Sequence, residues 1–359
     1  MRLDMRQRVT DSRAVPVDVV ATALHNATDE AKMSAGKISS IKRDIRRTRE
    51  KKFPPLPKSV SDWEIPDEWK TTGGASPKPF LIHDSGTGSP SRLVVFGTEE
   101  QLHFLAGSET WFMDGTFKMS SKLFQQVYVV RGEQNTQVRT CIYALMTGKT
   151  TEMYKSLLKT ILGKLVDLGQ LPRPKQVMVD FESAAMSAIS SVLGDRVEVK
   201  GCFFHLCQST WRHVQQHGLT KKYKENDDVK LYCGMIDALA FLPPKDVIEG
   251  MAFLWGSSPF DLYEVLHYFD ATYVSGVTGE RPKPPLFPPE VWNVHKATME
   301  GSHRTNNVCE SWNNKFNTLV GHHHPTIWTI LEAIQKDEST ERAYLLGSQP
   351  EETRKKLLY

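Results

Sequence analysis

WFMDGTF (residues 111–117) and QVMVD (residues 176–180) decide how this chain folds. The first is dense in aromatic residues and closed by Gly-Thr, a strand signal. The second is a short apolar run bounded by Pro174 and an acid, which suits a buried strand. Between them, FQQVYVVRG (124–132) and RTCIYALMTG (139–148) predict two further strands. The short polar turn between those two, at 132–135, favours an antiparallel meander. Thr151 then caps a helix in which Met153, Leu157, Leu158, Ile161, Leu162 and Leu165 recur at helical spacing. After Asp180, ESAAMSAISSVLG predicts a helix, VEVKGCFF (197–204) a fifth strand and LCQSTWRHVQQHG another helix. This order predicts an α/β fold with a mixed five-stranded sheet and helices on both faces.

Upstream, Thr98 with Gln101 three residues on forms a capping-box start for a short helix. Residues 60–92 carry Trp63, Trp69 and many Gly, Ser and Pro residues, and predict an extended, loop-rich lead-in. Residues 1–59 predict a basic extension, partly disordered or helical, with prolines at 54, 55 and 57 ending it. Downstream of the first core part (60–219), residues 220–300 predict an all-helical insertion followed by the Pro-rich stretch GVTGERPKPPLFPPE (276–290). Three apolar clusters mark its helices, around Leu231 to Leu239, Val247 to Leu254 and Leu262 to Phe269. Residues 301–359 predict the helices that complete the core, one over about 306–320 and one starting at Pro325.

The length, 359 residues, suggests about two domains. With 40% hydrophobic and 24% charged residues the composition is that of an ordinary globular protein, which excludes fibrous and low-complexity classes. Five irregularly spaced cysteines do not make a secreted disulfide framework and point to a reducing compartment. No apolar run is long enough to span a bilayer, so no membrane partner is expected, and the first residues lack a signal-peptide core. The formal net charge of +3 decides nothing, but KISSIKRDIRRTREKK (37–52) concentrates basic residues. That segment reads either as a solvated basic helix or as a phosphate-binding arm or nuclear localisation signal.

Three acids stand out. Asp114 lies within a strand pattern, where a carboxylate is disfavoured, although Asp-Gly is also a common turn pair. Asp180 ends a core strand, where α/β folds place ligands, although an Asp there also suits a helix N-cap. Glu310 lies in RTNNVCESWNNKF on the polar side of a predicted helix, with Asn306, Asn313 and Asn317, whose uncharged amides can orient a carboxylate or a phosphate. The alternative for Glu310 is an ordinary surface acid. Two carboxylates brought close on neighbouring strands repel unless a cation sits between them. Cys202 and His205 have zinc-like spacing, but a structural zinc needs a second pair, and Cys207 with His213 does not supply a convincing one. The run His322, His323, His324 suggests metal but also suits a solvated turn. Lys118, Lys122, Arg131, Arg139, Lys221, Lys222, Lys224 and Arg304 could each pair with phosphate; Arg304, beside the Glu310 helix, is the best choice.

WFMDGTFK, VMVDFESAAMSAI, GCFFH and RTNNVCESWNNKF resemble the motif set of Mutator-like element transposases, as do DWEIPDEWKTT, FLIHDSG and HPTIW. The resemblance covers roughly residues 60–335. It implies a ribonuclease-H-like catalytic core and a DDE-type enzyme that cleaves and transfers DNA strands. Asp114, Asp180 and Glu310 would be its catalytic and metal-binding triad, with Mg2+ as cofactor and Mn2+ as substitute. It implies DNA partners (transposon ends and target), nuclear localisation, and a homo-oligomer acting on paired ends, although no coiled-coil pattern is present. It also implies that Cys202 and His205 belong to the family's Cys-x-x-His motif. Cleft or DNA-contact roles are expected for Cys202, His205, Arg304, Asn306, Asn307 and Lys118. Residues 1–60 contain no cysteine, which excludes a Cys/His finger within them. The alternative function is a transposase-derived regulator that binds DNA and does not cut it.

Overall fold

The computed structural model describes residues 16–50, 53–277, 282–321 and 325–347. The His322–His324 run and the basic residues Lys51 and Lys52 lie outside them. The fold is α/β and its sheet is mixed, but it has seven strands rather than the five expected. Of the two additional strands, β1 (Leu81–Asp84) lies in the segment expected to be a loop-rich lead-in and β2 (Leu93–Phe96) directly follows it. Four-residue strands interrupted by the Gly- and Ser-rich stretch 85–91 carry too little periodic signal to stand out. The remaining strands are β3 (Thr110–Thr116), β4 (Gln126–Gln134), β5 (Gln137–Met146), β6 (Gln176–Val179) and β7 (Glu198–Gly201). Across the sheet the order is β1-β2-β5-β4-β3-β6-β7. The first five run as antiparallel neighbours, whereas β3–β6 and β6–β7 are parallel.

β7 is shorter than the strand expected over 197–204. It stops at Gly201, and Cys202 is already the cap of the next helix. A Cβ at Gly201 would lie 2.4 Å from the Phe181 ring, so glycine is required for that ring to pack beside Asp180.

Side chains alternate between the two faces of the sheet. Trp111, Met113, Tyr128 and Val130 point to one core, shared with helices α1 (Glu99–Ala106), α2 (Thr151–Asp167), α3 (Ser183–Leu193) and α4 (Phe203–Gln216). The apolar side chains of the helical insertion, among them Val229, Ile236, Val265 and Phe269, continue that core. Phe112, Val127, Val129 and Met178 point to the other core, which α5 (Asn307–Val320) and α6 (Ile327–Leu345) cover together with Trp63 and Trp69. Helix α6 starts at Ile327 behind the cap Thr326, whose side chain accepts from the Thr329 N–H, rather than at Pro325. Arg92, 1% exposed, pairs with Asp84 and donates to the carbonyls of Val60 and Trp63, fixing the lead-in against the sheet edge. Ahead of it, Pro16–His25 and Ile38–Glu50 are helical, and Val19, Val20, Ala23, Ile41 and Ile45 make a small separate core. Among the described residues no helix is long and apolar enough to cross a membrane.

Strands β4 and β5 are joined by two residues, Asn135 at φ 50° and Thr136 at φ 67°. Two positive φ angles define the turn that matches strand twist, and a β-branched residue is strained there. Replacing Thr136 with glycine is expected to stabilise the fold by about 1 kcal/mol, read from the urea midpoint.

Candidate functional site

The parallel pairing of β3 with β6 sets the site. Phe112 and Met178 are registered partners on one face. Two residues further along each chain, on that same face, come Asp114 and Asp180. Asp114 is an internal strand residue opposite Val129, not a turn residue. Asp180 follows β6 directly, and the cap position of α3 falls to Glu182 instead.

Asp114 is 7% exposed. One carboxylate oxygen accepts the Gly115 N–H at 2.7 Å, and the other accepts the Asn313 amide at 2.7 Å. Burial pushes its pKa up to about 7, the negative charge of Asp180 adds to this, and the two hydrogen bonds oppose it.

Glu310 enters from α5. It is half-buried, not on an open polar face, and burial raises its pKa, with the His205 charge opposing and the Asp180 charge adding. Between the two acids stands His205 of α4. Its Nδ1 is 2.7 Å from Asp180 Oδ1 and its Nε2 is 3.7 Å from Glu310 Oε1. The ring N–H is not aligned along the shorter contact, which is therefore an ion pair rather than a well-formed hydrogen bond. Burial works against the imidazolium, but the contacts to Asp180 and Cys202 outweigh it and raise the pKa to about 10. A protonated His205 thus shields two carboxylates from each other.

Cys202 has a different partner. It is fully buried, and its sulfur accepts the backbone N–H of Asn306 at 3.1 Å. The side chain of Asn306, itself 1% exposed, donates to the Met113 carbonyl at 3.1 Å, and the Phe203 N–H donates to the Arg304 carbonyl. Residues 304–306 are thereby stitched to β3 and to the start of α4, which sets where α5 begins. Asn306 therefore belongs to the interior, not to the polar side expected for it. Asn307, Lys118 and Arg304 are exposed.

Arg131 and Arg139, read above as phosphate contacts, are buried. Arg131 donates to the Val308 and Val138 carbonyls, and Arg139 packs over the Tyr344 ring. Arg131 thus holds the first turn of α5.

Several residues that line or brace the candidate site escaped the sequence. Glu182 and Lys149 line a small recess with Asp114 and Asp180. Glu182 accepts from the Tyr154 hydroxyl at 2.9 Å and pairs with Lys149 at 3.2 Å, while Lys149 sits over the Phe117 ring. Asp337 of α6 is fully buried. It accepts from the Tyr143 hydroxyl at 2.8 Å and from the Trp312 indole at 2.7 Å, and it pairs with Lys315 at 2.8 Å. Trp312 and Lys315 flank Asn313 on α5, so this buried acid fixes the helix that carries Glu310. The acidic stretch at the middle of α6 was the available signal, because three acids on the buried side of an apolar pattern (Asp337, Glu338, Glu341) need partners.

Among the described residues no three His, Cys, Asp or Glu side chains are already gathered around one point to hold a metal ion. A divalent ion of the magnesium type does not require three, since one or two carboxylates with water and phosphate oxygens suffice. The donor set fits such an ion. Asp114 and Asp180 offer hard oxygen atoms, and Asp180 Oδ1 is buried with no aligned donor.

Residues 110–209, from the start of β3 into α4, match the family model of the MULE transposase domain. No curated protein matches the chain.

The raised carboxyl of Asp114 gives a pH test. In the folded chain this group keeps its proton up to about pH 7, whereas its ordinary value is 3.8. Between those values the folded state binds the extra proton, so without divalent ions stability falls as pH rises from about 4 to about 7. Glu338, which burial pushes up to about 7, acts in the same direction. Urea midpoints in EDTA across that range are expected to decline for the parent and to decline less for Asp114→Asn.

Proposed function

We propose that this chain, whose residues 110–209 match the MULE transposase domain, is a DDE-type nuclease and strand transferase acting on DNA phosphodiesters. The observation that carries the proposal is the parallel β3–β6 register, which puts Asp114 and Asp180 side by side at one end of the sheet. The strand order β5-β4-β3-β6-β7, a meander followed by two parallel strands, supports a ribonuclease-H-like core, with β1 and β2 as an extension of its edge.

In this reading Asp114 and Asp180 hold divalent metal, Mg2+ or Mn2+, and Glu310 completes the triad. A divalent ion held there would supply activation of the attacking oxygen and stabilisation of the leaving oxygen in a displacement at phosphorus. The protein's own groups prepare the site. Asn313 and the Gly115 N–H fix the Asp114 carboxylate. Arg131, Asn306 and Asp337 fix α5, and with it the depth to which Glu310 reaches. His205 keeps the Asp180 and Glu310 carboxylates together by charge. DNA ends and target are the substrates that this chemistry implies, and a nuclear location follows from them.

A second function is favoured by one observation: His205 already satisfies Asp180 and Glu310 by ion pairing, an arrangement that suits a transposase-derived DNA-binding regulator without nuclease activity. Nicking separates the two. With Mg2+ the parent is expected to nick DNA carrying its element's ends, and Asp114→Asn, Asp180→Asn and Glu310→Gln are each expected to lower the rate by about a thousandfold or more with folding retained. Salt-sensitive DNA binding without nicking by the parent would favour the regulator.

A further inference from the structure

Beside the carboxylates, the same face of the sheet opens into a groove. Its floor includes Met178 of β6 and Lys200 of β7, which are registered partners. Asp180, directly after β6, lies two residues beyond Met178, about 6.6 Å away at the usual strand rise. The wall is the short helix His295–Met299 and the segment that follows it, which supply Lys296 and Arg304. Both are exposed, and neither forms an ion pair with a described residue. Lys200 behaves differently, donating to the Glu290 carbonyl at 2.7 Å and lying 3.9 Å from Glu198. Glu198 and Glu300 also line the groove, so the anion-binding character rests on Lys296 and Arg304.

The placement of Arg304 is fixed by its backbone. Its carbonyl accepts the Phe203 N–H at 3.1 Å, two residues before His205, and its guanidinium stands 6.0 Å from the Phe241 ring. An unpaired guanidinium on an anchored segment has a natural partner in a phosphate, and Lys296 extends the same wall. Cations set along a groove and not between the acids leave the acids free for metal and direct the neighbouring phosphates of a bound strand.

We propose that this groove carries the DNA strand adjoining the phosphodiester held at Asp114 and Asp180, with Arg304 and Lys296 on its backbone phosphates. That the strand adjoins a phosphodiester held at Asp114 and Asp180 rests on the nuclease function proposed above; the binding itself does not.

The test uses the full chain and a fluorescent single-stranded oligonucleotide, with binding measured over a potassium chloride series without divalent ions. The double variant Arg304→Ala, Lys296→Ala is expected to bind about tenfold or more weakly at low salt. Its slope of log affinity against log salt is expected to be shallower by about 1.4, the loss of two phosphate contacts on a single strand. The charge-matched control Lys159→Ala, Lys230→Ala, two exposed lysines outside the groove lining, is expected to keep the parent slope. An unchanged slope in the first variant, an equal loss in the control, or no binding by the parent overturns the groove. Nicking by the parent is scored separately: a changed slope with no nicking leaves the groove standing and sinks the nuclease function, and nicking with an unchanged slope does the reverse.

Discussion

Two carboxylates on adjacent parallel strands, one of them almost fully buried, are in electrostatic conflict, and the surrounding structure is arranged around that conflict. Burial and mutual repulsion together push the Asp114 carboxyl up to about 7. The chain meets part of the cost with neutral donors, the Asn313 amide and the Gly115 N–H, and part with the His205 imidazolium beside Asp180. Neither removes the repulsion in the way that a divalent cation does. The niche therefore favours positive charge, and two of its acids, Asp114 and Asp180, lie in the stretch 110–209 that matches the MULE transposase domain.

The third acid depends on a helix from the far end of the chain. Helix α5 is fixed at three places: Arg131 on the Val308 carbonyl, Asn306 on the Met113 carbonyl and the Cys202 sulfur, and Asp337 on Trp312 and Lys315. Each contact joins residues remote in sequence, so the position of Glu310 reports on the packing of the whole C-terminal layer against the sheet. A buried acid such as Asp337 is costly unless its oxygens find partners; here Oδ2 accepts from Tyr143 and Trp312, and Oδ1 is ion-paired with Lys315. That makes it a specific fastener rather than a general contribution to the core.

Much of this was legible in the sequence, for identifiable reasons. The strand carrying Asp114 announced itself by its aromatic residues and the one before Asp180 by a short apolar run bounded by Pro174, and the meander followed from short connections. The adjacency of the two acids followed from topology. What was hidden fell into two kinds. Strands β1 and β2 are four residues each, as are β6 and β7, but they flank the Gly- and Ser-rich stretch 85–91, whose composition reads as loop. The partnerships of Arg131, Asn306, Cys202 and Asp337 are tertiary, and no spacing in the chain encodes them. Buried arginines resembled phosphate contacts because sequence carries no measure of burial. Asn313 lies between these cases: the Asn-rich helix suggested amides that orient a carboxylate, but not that the carboxylate would be Asp114.

The central claim is that the acids around Asp114 form a place for divalent cations. The most direct measurement is the thermal unfolding midpoint of the full chain at pH 7.5 with Mn2+ titrated in the absence of DNA. A site that binds the ion in the folded state alone must raise the midpoint with concentration. The account predicts such a rise for the parent and its loss in both Asp114→Asn and Asp180→Asn. A midpoint that ignores Mn2+, or one that rises equally in all three proteins, would contradict it.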